Sequence, residues 1–167
     1  MAISAIYNVN ESLSYTNVRT TPTQKKKFHT QMSLLEKELV KECLRVYNPK
    51  RAYVSPHLRD KMKEKGLSFN EDLIRKTIKE FDLDLLLEVN YNTDKSVRVL
   101  MKTRETVKVN VNGKIQDCVM CFVLNLSNDN IVTVYYNSPQ QVLRTPNLSR
   151  NYDKDLDLVK HLIQYVR

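Results

Sequence analysis

The stretch Leu73-Ile74-Arg75-Lys76-Thr77-Ile78-Lys79-Glu80-Phe81-Asp82-Leu83-Asp84-Leu85-Leu86-Leu87-Glu88-Val89-Asn90-Tyr91 holds the change of period on which the fold turns. Up to Phe81 the residues Leu73, Ile74, Thr77, Ile78 and Phe81 recur every three or four positions, as one face of a helix requires. After Asp84 the period drops to two, and Leu85–Tyr91 reads as a strand. A helical front half therefore meets a sheet near Asp84.

Outward toward the C-terminus the strands continue. Residues 96–108 form the next, reached through Asn92-Thr93-Asp94. Asn112-Gly113 is the strongest hairpin signal in the chain, because both residues accept the left-handed backbone of a tight turn. It leads into 115–126, and Ser127-Asn128-Asp129-Asn130 turns the chain into 131–137. Pro139 and Pro146 punctuate a loop, and residues 153–166 are expected to close the domain with a helix.

Outward toward the N-terminus, Ser68-Phe69-Asn70-Glu71 reads as a capping box opening the helix that ends near Phe81. Before it lies a short helix marked at both ends, with Ser55 as N-cap, Pro56 in the first turn and Gly66 just past the last. A longer amphipathic helix is expected over 23–47, with Phe28, Met32, Leu35, Leu39, Cys43 and Val46 on its apolar face and Lys25, Lys26 and Lys27 largely off it. Residues 1–22, rich in Asn, Ser and Thr, read as a flexible or loosely docked arm to a single domain over 23–167. The expected fold is α+β: N-terminal helices packed on a four-stranded antiparallel sheet, with a C-terminal helix.

Composition narrows the function. Only two glycines, Gly66 and Gly113, are present, which excludes a glycine-rich phosphate loop. The formal net charge is +8, and residues 1–66 hold 13 Lys/Arg against 6 Asp/Glu, whereas residues 67–137 hold 9 against 10. Such a balance favours polyanions or acidic proteins as partners. Three cysteines, Cys43, Cys118 and Cys121, give no disulfide framework, and Cys118-x-x-Cys121 lies within a strand, where an odd separation turns the sulfurs to opposite faces. No metal site and no cofactor is expected. With no signal peptide or membrane span legible, a cytoplasmic protein without a membrane partner is expected.

On the helix begun at Pro56, His57, Lys61 and Lys65 stand at i, i+4 and i+8, nearly one above another. Like charges at that spacing repel by a few tenths of a kcal/mol. A phosphate backbone lying along the column would reverse the sign.

The string Ser55-x-His57-x-x-x-Lys61-Met62-x-Glu64-Lys65-Gly66-Leu67-Ser68 resembles the opening motif of the RelE/BrnT-like domain family, and the resemblance extends over about residues 52–152. Arg98-Val99-Leu100 and Ile131-Val132-Thr133-Val134-Tyr135-Tyr136-Asn137 match its later strands. The resemblance implies a fold of the barnase–EndoU–colicin–RelE class and an RNA-directed function, either a metal-independent ribonuclease toxin or a catalytically weakened relative. On that reading His57, Lys61, Arg98 and Tyr135 are the catalytic candidates, with Arg59, Lys63, Lys65, Tyr136 and Arg144 as RNA-binding residues. His57 would move the proton, the cations would hold the phosphate, and a tyrosine would stack a base or donate a proton. The RNA would be free or ribosome-associated. The sequence departs from the family after the closing strand, where 137–152 carries no histidine. That departure sets binding beside cleavage. The rival expectation is a non-enzymatic phage or mobile-element protein that binds a host protein. A protein partner or a second copy of the chain would then dock through residues 1–47.

Overall fold

The computed structural model of the chain describes residues 6–9 and 25–166. Among these are seven strands: β1 (Ile6–Val9), β2 (Lys25–Phe28), β3 (Leu86–Tyr91), β4 (Val97–Lys102), β5 (Val107–Val111), β6 (Lys114–Asn125) and β7 (Ile131–Asn137). The α-helices are α1 (Leu34–Val46), α2 (Pro56–Glu64), α3 (Glu71–Lys79), α4 (Pro139–Val142) and α5 (Val159–Leu162). The α+β class stands, and a 3-10 turn at Leu83–Leu85 joins α3 to the sheet where the period changes.

The sheet is larger than expected and mixed. It runs β1-β5-β6-β4-β3-β2, with β7 on the other side of β6. The four-stranded antiparallel expectation is therefore corrected: β3, β4, β6 and β7 form that meander, but three further strands extend it. The expected strand over 96–108 is broken at Thr103. There the Thr103 N–H donates to Met120 O, while the Thr103 hydroxyl accepts from Met120 N–H at 3.1 Å and donates to Glu105 O. A side chain thus replaces a ladder carbonyl, and β5 starts afresh. Ile6–Val9, within the expected arm, pairs in parallel with Lys108–Val111. The remainder of that arm lies outside the described residues.

The expected helix over 23–47 is corrected as well. Lys25–Phe28 is a strand antiparallel to β3, and the helix begins only at Leu34. Ser33 caps it by accepting from Glu36 N–H while Glu36 reaches back to Ser33 N–H, a capping box that the apolar spacing masks. Asn70, rather than Ser68, caps α3 by accepting from Asp72 N–H at 2.8 Å. The closing helix shrinks to 159–162 because Asp153 and Asp157 fold onto the backbone N–H groups of Asp155 and Val159. Such local bonds compete with helix. The helix 56–64 forms as expected, with Gly66 at φ 65° beyond its end.

β6 is the spine of the core. Its alternate residues Cys118, Met120, Phe122 and Leu124 face the helices, meeting Val40 and Leu44 of α1, Leu58 and Met62 of α2, and Ile74 and Ile78 of α3. Each such side chain contributes roughly 1.5–3 kcal/mol by burial. The opposite face carries a smaller cluster of Leu87, Leu100, Val119, Cys121, Val123 and Tyr135 under Val142 of α4. Cys118 and Cys121 accordingly belong to different cores.

Candidate nucleic-acid interface

The helix α2 is fixed by its ends and by its buried stripe. Ser55 Oγ accepts from Leu58 N–H at 3.1 Å, Leu67 N–H closes the other end onto Met62 O at 2.9 Å, and Leu58 and Met62 are buried. The helix packs beside β7. That placement leaves His57 and Lys61 over the end of the sheet, where they line a cavity of about 270 Å3 with Arg98 of β4, Asn125 of β6 and Asn128 and Asn130 of the following turn.

Charge in this cavity is one-sided. Among the described residues no carboxylate lies within ion-pairing distance of Lys61 or Arg98, whereas Arg51, Arg59, Arg75 and Arg104 each hold one. Arg98 is half-buried, and its Nε is fully buried without a hydrogen-bond partner. The field of Arg98 reaches Asp94, whose carboxyl lies below its ordinary range, first through hydrogen bonds from the Ser96 hydroxyl and N–H and then through Arg98. Both of those bonds fall on Asp94 Oδ1, at 2.5 and 2.9 Å.

The turn 127–130 contains one carboxylate, and its backbone turns it away from the cations. Asp129 sits at φ 68° and accepts from Tyr47 Oη at 2.9 Å and from Arg51 at 3.2 Å. Burial and the Asp129 carboxylate hold the Tyr47 hydroxyl well above its ordinary range, so it stays a donor. Asparagines remain on the cavity side. Asn125 is 2% exposed and accepts from Ser127 N–H at 2.8 Å, and Asn128 accepts from Asn130 N–H at 3.0 Å.

A row of polar side chains reaches Arg98 across the sheet. Lys26, Asn90, Arg98 and Asn125 are in register on four adjacent strands. Lys26 is 4% exposed and pairs with Glu88 at 3.2 Å, which also accepts from Tyr152 Oη at 2.9 Å. Asn90 is buried with its Oδ1 unpaired.

Of the expected catalytic residues, His57, Lys61 and Arg98 come together and Tyr135 does not. Tyr135 is buried in the smaller core beside Cys121, and burial holds its hydroxyl well above the ordinary range. Tyr136 points into the larger core, where it stacks on Tyr7 and donates to Ser68 O at 2.8 Å. Arg59 holds Glu71 at 2.8 Å and, with Lys63, lines a separate recess. Lys65 is the C-cap at the far end of α2, so only the first two members of the His57–Lys61–Lys65 column reach the cavity. Arg144 follows α4 and lies outside it. The asparagines carry no separate signal in the sequence, because Ser127-Asn128-Asp129-Asn130 reads as a turn.

Among the described residues no group of three or more His, Cys, Asp or Glu side chains is placed to hold a metal ion. No helix among them is long and apolar enough to cross a membrane. No protein-family model, curated protein or solved structure matches the chain.

Proposed function

We propose that the chain is an RNA-directed, RelE-like domain that holds RNA phosphate in the His57–Lys61–Arg98 cavity and acts by binding. One observation carries this reading: Lys61 and Arg98 converge from a helix and a strand on a cavity whose lining includes no carboxylate. Unpaired cations at a concave, half-buried site repel one another until an anion enters, so a phosphate is favoured there and a neutral ligand is not. Asparagine amides beside them add hydrogen bonds of the kind that recognise unstacked bases and sugar hydroxyls.

Cleavage through the 2′-hydroxyl asks for a base and an acid on opposite sides of the phosphate. His57 is the only histidine lining the cavity, and both tyrosines of the closing strand are spent on cores. Binding is therefore the better supported activity.

The test is fluorescence anisotropy with a labelled single-stranded RNA in EDTA over a series of salt concentrations. Binding is expected to weaken as salt rises, with a slope of about −0.7 per phosphate contact. Absent or salt-insensitive binding overturns the reading and leaves the non-enzymatic, protein-binding alternative. RNA cleavage that disappears in His57→Ala would instead make the domain a ribonuclease.

A further inference from the structure

We infer that the cavity accepts a terminal phosphate monoester, on an RNA end or a free nucleoside monophosphate, in preference to an internal phosphodiester. The inference rests on the phosphate-binding reading of the same cavity and adds the chemical class of its ligand.

Charge comes first. Lys61 and Arg98 bring two formal positive charges, with no carboxylate in the cavity lining and none within ion-pairing distance among the described residues. The Asp94 carboxylate touches Arg98 only through its field. A phosphate monoester carries about −1.5 to −2 at neutral pH. An internal diester carries only one negative charge and would leave the two cations partly uncompensated.

The donor pattern agrees. Asn125 is almost wholly buried, and its Oδ1 is committed to Ser127 N–H at 2.8 Å. Its Nδ2 is left as a donor with no hydrogen-bond partner among the described residues, on a residue that lines the cavity. Asn128 spends its Oδ1 on Asn130 N–H in the same way, and the half-buried Arg98 guanidinium that lines the cavity is a third donor group. Three donor groups suit a ligand end that is all acceptor, and a monoester offers three such oxygens. A diester within a strand offers two.

Size is the third constraint. At about 270 Å3 the cavity is smaller than a typical ligand pocket of ~300–1,000 Å3. Asn128 and Asn130 of the 127–130 turn line it. One phosphorylated sugar is of a size with that space.

The experiment compares the full chain's affinity for one short RNA carrying a 5′-phosphate, a 3′-phosphate or hydroxyls at both ends, with a nucleoside 5′-monophosphate and the nucleoside as competitors. A phosphorylated end is expected to bind at least about tenfold tighter than the hydroxyl-ended strand, the effect of roughly one charge-assisted hydrogen bond. That preference is expected to vanish in Arg98→Gln and in Lys61→Gln, whose side chain is exposed and whose loss leaves the fold intact, and to survive in Lys63→Gln. Competition by the monophosphate as strong as by the phosphorylated strand assigns the site to free nucleotides, and competition only by strands assigns it to RNA ends. Equal affinity for all three strands, or an undiminished preference in Lys61→Gln, overturns this inference and leaves RNA binding standing. Binding of the monophosphate with no RNA bound sustains it and overturns the RNA reading. No binding of any probe overturns both.

Discussion

Lys26 and Lys27 are neighbours in the chain and point to opposite faces of β2. Lys61 and Arg98 come from different elements and meet at one cavity. The first two are buried and answered: Lys26 by Glu88 at 3.2 Å, and Lys27 by Glu36 at 2.8 Å. The second two have no carboxylate within ion-pairing distance among the described residues. The most basic run of the sequence, Lys25-Lys26-Lys27, is thus largely neutralised inside the protein. Lys61 and Arg98 sit where the chain is less basic. Local charge density counts lysines, whereas function depends on which lysines lack a counter-ion.

The largest effect is expected at Glu36. This carboxylate also accepts from Ser33 N–H and from Leu158 N–H at 3.0 Å, so Glu36→Ala strands a buried ammonium and the buried Leu158 N–H and removes the helix-capping bond to Ser33. A loss of about 3–5 kcal/mol is expected in denaturant unfolding. Burial raises the Glu36 carboxyl, but the hydrogen bonds from Lys27, Ser33 and Leu158 and the charge of Lys27 outweigh it and hold the group below its ordinary range. A carboxyl lowered by folding stabilises fully above its unfolded pKa of about 4.3, and that contribution fades as pH falls through the lower folded value. Glu36→Gln is therefore expected to flatten the decline of the unfolding midpoint below about pH 4.3.

Lys26→Ala comes next. Glu88 keeps the Tyr152 hydroxyl but loses its counter-ion in a buried place, and a loss of about 2–3 kcal/mol is expected by the same measurement. Lys61→Gln should invert the pattern: stability within about 0.5 kcal/mol of wild type, because the side chain is exposed, and RNA affinity down about tenfold. Its salt slope should be shallower by about 0.7. The smallest effect is expected at Arg59, which spends its charge on Glu71 at the surface. Arg59→Ala should cost about 1 kcal/mol or less and leave RNA affinity unchanged, which thermal unfolding and anisotropy would check.

The sheet's central meander, the helix 56–64 and the period change at Asp84 were legible because each depends on neighbours in sequence: alternation, a Ser-Pro start, a glycine stop. The strand Lys25–Phe28 was not, since its two buried lysines are tolerable only with Glu88 and Glu36 in place, and those partners come from other elements. A lysine is read as exposed until its counter-ion is found. The same limit applied to β1, whose partner strand lies about a hundred residues away. His57, Lys61 and Arg98 were legible as candidates one by one, and the fold brings them to one cavity. Tyr135 and Tyr136 looked free because a strand hides which face is covered, and here both faces are. Asn125 could be recognised only once its Oδ1 was seen to be committed, which leaves one half of the amide facing outward.

The pairing of β2 with β3 also bears on how the chain is made. Lys26 needs Asn90 as its strand neighbour and Glu88 as its counter-ion, and β1 needs β5 at Lys108–Val111. On the ribosome, at roughly 5–20 residues per second, the early strands would wait several seconds for these partners. Until then two lysines destined for the interior remain hydrated and repel each other along one short segment. That repulsion keeps an unpaired strand from pairing with other chains. The pair of ion bridges that later locks β2 thus also gives the nascent chain a guard against premature association.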